Sequence, residues 1–249
     1  MSATQQLTPT RAPLSKLAPA RASLWDVSAL VYRHTYDAAA HHVDEVTIAA
    51  IKDAIVAGVV VDAGCGPGVV VPRFVQAGAR KVLAVDVSAS MLSKVPLLSG
   101  VKTVAADLQP GAFQELRREY EPRGFDLIWF KRSLYHEDQV AVELLRDAYA
   151  SLRPGGRIVV IHPESSLHRY VFDVRQGRTR LASYTAYHAF NRFISVLFSS
   201  LRIHTYRHRT DNELLALGRS ISPDATAQLI DTGVSAFNTL LIAREGAQS

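Results

Sequence analysis

The chain has 249 residues, 48% of them apolar, enough to bury the core of one α/β domain with an appended region. No run of 18 apolar residues occurs, which argues against a hydrophobic membrane-spanning helix. The single cysteine, Cys65, excludes an internal disulfide and a cysteine metal cluster, while a net charge of +5 leaves nucleic acid, acidic lipid and anionic small molecules open as partners.

Residues 1–24 carry Arg11, Lys16 and Arg21 without an acid, and Pro9, Pro13 and Pro19 interrupt any apolar run. They read as a disordered basic arm rather than a secretory signal or transit-like leader, and a cytoplasmic protein is expected. Residues 25–57 read as a helical lid, with Ile48, Ile51 and Ile55 on one face of a helix over Asp44 to Ala57. Val59 to Asp62 is a short β-branched run between Gly58 and Gly64, as expected of a buried parallel strand. A helix over Val69 to Ala77 follows, with Pro72 tolerated in its first turn and Gly78 stopping it.

The alternation continues. Lys81 to Asp86 is a strand, Ala89 to Val95 a short helix and Val101 to Ala105 a third strand. Phe113 to Tyr120 is helical, Phe125 to Phe130 a fourth strand, and Glu137 to Leu152 a helix with Val140, Leu144, Ala148 and Leu152 in one stripe. Arg153-Pro154-Gly155-Gly156 ends it, and Arg157 to Ile161 is a fifth strand. Strands alternating with helices predict a parallel sheet with right-handed crossovers. After His162 the pattern weakens. Tyr184 to Ser200 reads as an aromatic-rich helix, Arg202 to His208 alternates like a strand, and Asn238 to Ala243 fits a last strand. Gly233 suggests a hairpin-like return, hence an antiparallel strand at or near the sheet edge.

The chemistry concentrates at Asp62-Ala63-Gly64-Cys65-Gly66-Pro67-Gly68, which follows a strand and precedes a helix. Asp86 ends the next strand, 22 residues after Gly64. In doubly wound folds an acid there accepts from ribose hydroxyls, so the ligand contains an unphosphorylated ribose. A dinucleotide is the competitor, but its fingerprint wants a third glycine or an alanine where Val69 stands.

With these residues the chain resembles class I S-adenosylmethionine-dependent methyltransferases. VVVDAGCGPG is similar to their first motif and VLAVDVSASML to the acidic second-strand motif. AADL is similar to the adenine-contact motif, FDLIWFKRSLYHE to the fourth strand and its exit, and LRPGGRIVVI to the start of the fifth. The match covers Val59 to His162 in order. It implies an α/β, Rossmann-like fold: a seven-stranded, mostly parallel sheet with helices on both faces, an antiparallel strand near the edge and a small aromatic cap. The cofactor-binding core would be residues 58–163, the substrate cap 164–200, and 201–249 would complete the sheet.

Implied roles follow position by position. Gly64 and Gly66 lie against the amino-acid end of S-adenosylmethionine, and Asp62 helps hold its ammonium group. Asp86 takes the ribose diol with Val87 beside it, and Met91 packs on the adenine. Asp107 accepts from the adenine amino group, while the Leu108 N–H serves ring N1. Phe130 and Lys131 pass near the methionine end. Tyr32 and Tyr36 resemble an element that closes over the cofactor. Blander roles compete: Asp62 orienting the loop, Asp107 capping a turn, Met91 filling core.

A sulfonium methyl is already activated, so the protein's main task is in-line placement of methyl and acceptor. A base is needed only where the acceptor arrives protonated. His136, past the fourth strand at the ligand-binding edge, is the candidate catalytic base. Tyr135 and His162 are candidate pocket residues, joined by Tyr184, Tyr187 and His188 in the cap. No metal is expected. No NPPY or DPPY follows the fourth strand, no second cysteine serves covalent base methylation, and no acid pair suggests a metal-dependent catechol enzyme. What remains is a small-molecule, methyltransferase 11/25-like enzyme, monomeric or homodimeric, acting on O, N or C of a specialised metabolite. Eight arginines against one acid, Asp173, between Leu167 and Arg209 keep an RNA-associated enzyme as the alternative, and a non-catalytic cofactor-binding homologue is the other.

Overall fold

The computed structural model describes residues 38–134, 138–163, 209–234 and 237–246. The expected basic arm, Tyr32 and Tyr36, residues 135–137 with Tyr135 and His136, the expected 164–200 cap with Tyr184, Tyr187 and His188, and the strand expected at 202–208 lie outside these residues.

Two short helices lead in, α1 (Ala38–Ala50) and α2 (Lys52–Ile55). The single helix expected over 44–57 therefore starts earlier and breaks at Ile51, whose φ of −122° and ψ of 21° leave the helical region. Five parallel strands follow: β1 (Val59–Ala63), β2 (Lys81–Asp86), β3 (Val101–Ala105), β4 (Phe125–Lys131) and β5 (Leu152–Pro163). Between them come α3 (Val71–Gln76), α4 (Ala89–Leu92), α5 (Ala112–Tyr120) and α6 (Asp138–Ser151). The Arg153–Gly156 stretch does not separate helix from strand as expected. It lies within β5, where the register against β4 shifts between Phe125 and Leu127.

The chain closes with α7 (Asp211–Arg219), β6 (Ala225–Leu229) and β7 (Phe237–Arg244). The Thr210 hydroxyl accepts from the Glu213 N–H while the Glu213 carboxylate accepts from the Thr210 N–H. This reciprocal cap starts α7. The sheet order is β3-β2-β1-β4-β5-β7-β6, with β7 antiparallel to both neighbours. Among the described residues the antiparallel strand β7 is thus one place in from the edge, and β6 is the edge strand.

Apolar residues fill both faces of the sheet. Val61, Leu83, Ile128, Phe130 and Val160 join Phe113 of α5, Leu144 of α6 and Leu214 of α7. Val60, Val82, Trp129, Ile161 and Leu241 join Ile48 of α1, Ile55 of α2 and Phe74 of α3. The edge of the Phe74 ring meets Trp129 at a centroid distance of 5.3 Å. Among the described residues no helix is long and apolar enough to cross a membrane. Because β2 follows β1 on one side and β4 lies on the other, the strand order reverses at the carboxyl ends of β1 and β4, where such sheets bind ligands in a crevice.

Candidate cofactor site

The glycine loop leaves β1 and is tied back to β2. The N–H groups of Gly64 and Cys65 both donate to the Val85 carbonyl, at 2.8 and 2.9 Å. Asp86 then holds the loop's next turn. Its Oδ2 accepts from the Gly66 N–H at 2.8 Å and its Oδ1 from the Ser88 N–H at 2.9 Å. Asp86 therefore orients the loop, the role that the sequence allowed for Asp62. Ser88 caps α4 by accepting from the Met91 N–H at 3.1 Å, which fixes Met91, buried beside half-buried Val87.

Asp62 is buried at the end of β1, and its Oδ2 has no hydrogen-bond partner among the described residues. Burial, with Asp44 and Asp86 adding like charge against an opposing Lys131, pushes its pKa up to about 8. An acid so placed is incomplete until a cationic donor reaches it. The Cys65 thiol is buried and its pKa is pushed up mainly by burial, so it is no nucleophile.

α1 lies over this crevice. Lys131, at the end of β4, donates to Asp44 Oδ1 at 2.5 Å and to the Ala40 carbonyl at 3.0 Å, all within α1. Burial lowers the Lys131 pKa to about 8 although Asp44 opposes the shift. Lys131 thus fastens α1 to the sheet. A second tie joins α1 to α3, where Arg73 meets His41 Nδ1 at 2.9 Å and Glu45 at 3.6 Å. Burial and the Arg73 charge lower the His41 pKa.

β4 leaves the sheet by an unusual turn. The Arg132 N–H donates to the Ile161 carbonyl at 2.9 Å, and Arg132 then takes a φ of +57°. For a non-glycine residue that conformation costs about 1–2 kcal/mol. It folds Ser133 back over β1, where its hydroxyl donates to the Ala63 carbonyl at 2.6 Å. The neighbouring Gly64 has a φ of +73°, and a Cβ there would stand 2.5 Å from the Ser133 Cβ.

The other expected residues are placed as follows. The Phe130 ring is buried against Phe113, 5.5 Å between centroids, so only its backbone can border the crevice. Asp107 is half-buried; the Gln109 N–H donates to its carbonyl at 3.0 Å and the Gln109 side chain approaches Oδ1 at 3.4 Å. Leu108 is buried. His162 is fully buried on β5, opposite Asn238 of β7 and on the sheet face away from Asp62 and Lys131. Asp44, Arg73 and Ser133 were not anticipated. Asp44 had a signal: it precedes Ile48, Ile51 and Ile55 at helical spacing, an acid on an apolar stripe.

The family model described as a methyltransferase domain matches residues 60–156. No curated protein matches by sequence. Human N-acetylserotonin methyltransferase, solved in complex with SAM, is similar at 18% identity and a TM-score of 0.55, over 89% of this chain and 57% of that one. This chain thus spans little more than half of the human protein's length. Magnesium protoporphyrin IX methyltransferase from Synechocystis PCC 6803, with bound SAH, is similar at 12% identity and a TM-score of 0.56, over 90% and 98%. The DhpI-SAH complex is similar at 16% identity and a TM-score of 0.59, over 92% and 96%. These likenesses speak for the fold. The family match lies where the sheet order and the loop already converge, and residues 60–156 are similar to a methyltransferase domain.

Proposed function

We propose that the chain transfers the methyl group of S-adenosylmethionine to O, N or C of a small, specialised metabolite. The observation that carries the cofactor side is the buried, unpartnered Oδ2 of Asp62 at the end of β1, which suits the cofactor's ammonium group. Gly64 and Gly66 offer backbone to the amino-acid end. Asp86 takes the ribose diol beside Val87, Met91 packs on adenine, and Asp107 with the Leu108 N–H reads its edge. Lys131 contributes by holding α1 over the site. Tyr32 and Tyr36 close over it.

The bound cofactor supplies an activated methyl, so the chain's own task is to exclude water and align the acceptor. His136 removes a proton where the acceptor needs it. Tyr135, Tyr184, Tyr187 and His188 line the acceptor side. His162, buried on the far face of β5, supports that wall from behind. The small-molecule class is supported by the printed names of two fold neighbours, which act on N-acetylserotonin and magnesium protoporphyrin IX. The test is transfer of isotope from labelled cofactor into a metabolite extract and, in parallel, into total RNA. Label in a low-mass product is expected. Label confined to RNA would replace this reading with the nucleic-acid one.

A further inference from the structure

We propose that Ser133 is a positioning residue for the amino-acid end of the cofactor, holding the glycine loop from the β4 side. The inference rests on the cofactor reading above. Three observations converge on the serine. Its hydroxyl donates to the Ala63 carbonyl at 2.6 Å, so it grips the peptide that enters the loop. Its Cβ occupies the space that a side chain on residue 64 would need. The left-handed Arg132 before it serves to turn the chain back over β1.

The consequence is a changed reading of Gly64. Its missing side chain makes room for the protein's own Ser133, not for a ligand alone. The loop is thereby held from two sides. Asp86 and Val85 fix it toward β2, where the ribose is bound, and Ser133 fixes it toward β4. The β4 contact acts on the Ala63–Gly64 peptide, next to Asp62 and remote in sequence from the adenine residues Asp107 and Leu108. A hydrogen bond spanning 70 residues couples the acceptor-side turn to the cofactor loop.

This division predicts a selective defect. In the full chain, S133A weakens binding of S-adenosylhomocysteine by about tenfold, the scale of one buried hydrogen bond and the slack it leaves. Adenosine, which lacks the amino-acid end, binds S133A as it binds the unaltered protein. S133T, which keeps the hydroxyl, restores most of the affinity for S-adenosylhomocysteine. Calorimetric titration reads all three, and circular dichroism verifies that each variant is folded. Unchanged S-adenosylhomocysteine affinity in S133A overturns the proposal. So does equal weakening toward adenosine, which marks a general structural loss, and so does S133T failing as S133A does. An unaltered protein that binds neither probe overturns the cofactor reading itself, a result separate from any variant.

Discussion

Asp62 and Asp86 stand at the ends of adjacent strands, yet their surroundings give them different work. Asp86 is half-exposed and receives two backbone N–H groups, so it anchors the loop. Asp62 is buried, with a pKa of about 8, and retains its proton at neutral pH. An incoming ammonium favours the ionised form, so cofactor binding at pH 7 releases a proton. The direction follows from linkage: affinity rises with pH toward about 8 and levels off above it. Calorimetry in buffers of different ionisation enthalpy measures the release, and Asp62→Asn abolishes it. No difference between buffers would mean that Asp62 is already ionised or remote from the ligand. Asp86→Ala leaves two N–H groups unanswered and removes the diol acceptor. It is expected to weaken S-adenosylhomocysteine binding by more than about tenfold and to lower stability by about 1–2 kcal/mol, whereas Asp86→Asn, retaining one acceptor oxygen, lies between. Titration and urea unfolding of both variants check this order.

These residues also mark how far the sequence could be read. Asp86 and the glycine loop stand out in the sequence because Asp86 meets Gly66 and Ser88 within 20 residues along the chain. Ser133 and Asp44 do not, because their contacts cross 70 and 87 residues, and no local spacing encodes a contact of that range. The apolar stripe beneath Asp44 was visible and Lys131 was singled out, but the pairing of the two was not.

At the scale of elements, the feature that matters is the attachment of α1. Lys131 is buried and engaged with Asp44 and the Ala40 carbonyl. Removing one partner strands the other charge, so Asp44→Asn should cost about 3–5 kcal/mol of stability. The double change Asp44→Leu with Lys131→Met removes both charges and should recover most of that loss. Chemical denaturation of the single and double variants decides, and equal losses would show that α1 is held by packing alone. The α7 start was missed in the sequence, although Thr210 and Glu213 stand at the spacing of a reciprocal cap. So was β6. It is an edge strand with alternating half-buried and exposed residues, and Ala225, Ala227 and Leu229 give it little hydrophobic contrast. β5 was read as shorter than it is, because glycine and proline in Arg153–Gly156 look like an ending when they accommodate an irregular register.

For the whole molecule, the sheet order puts the crevice at the switch between β1 and β4, with helices closing both faces. A ligand held there binds only the folded chain. S-adenosylhomocysteine at about 100 times its dissociation constant should add about 2.7 kcal/mol, which raises the melting midpoint by roughly 5–10 °C. NAD at the same concentration should leave the midpoint unmoved, and an equal rise with NAD would reopen the dinucleotide reading. The parallel core was legible mainly at β1, β2 and β4, each a short apolar run between two helices. The closing region was less so, since its strands pair by return rather than by crossover.

The place of β7 bears on how the protein is made. It follows β6 in the chain, yet it sits between β5 and β6. Until residues 237–244 leave the ribosome, β5 and β6 lack the strand that joins them among the described residues, and β5 keeps an open edge there. Such an edge is a template for pairing with other chains. The five-stranded core can assemble early, but it stays adhesive until the final hairpin inserts, so a stalled or shortened chain is sheet-competent and prone to aggregate.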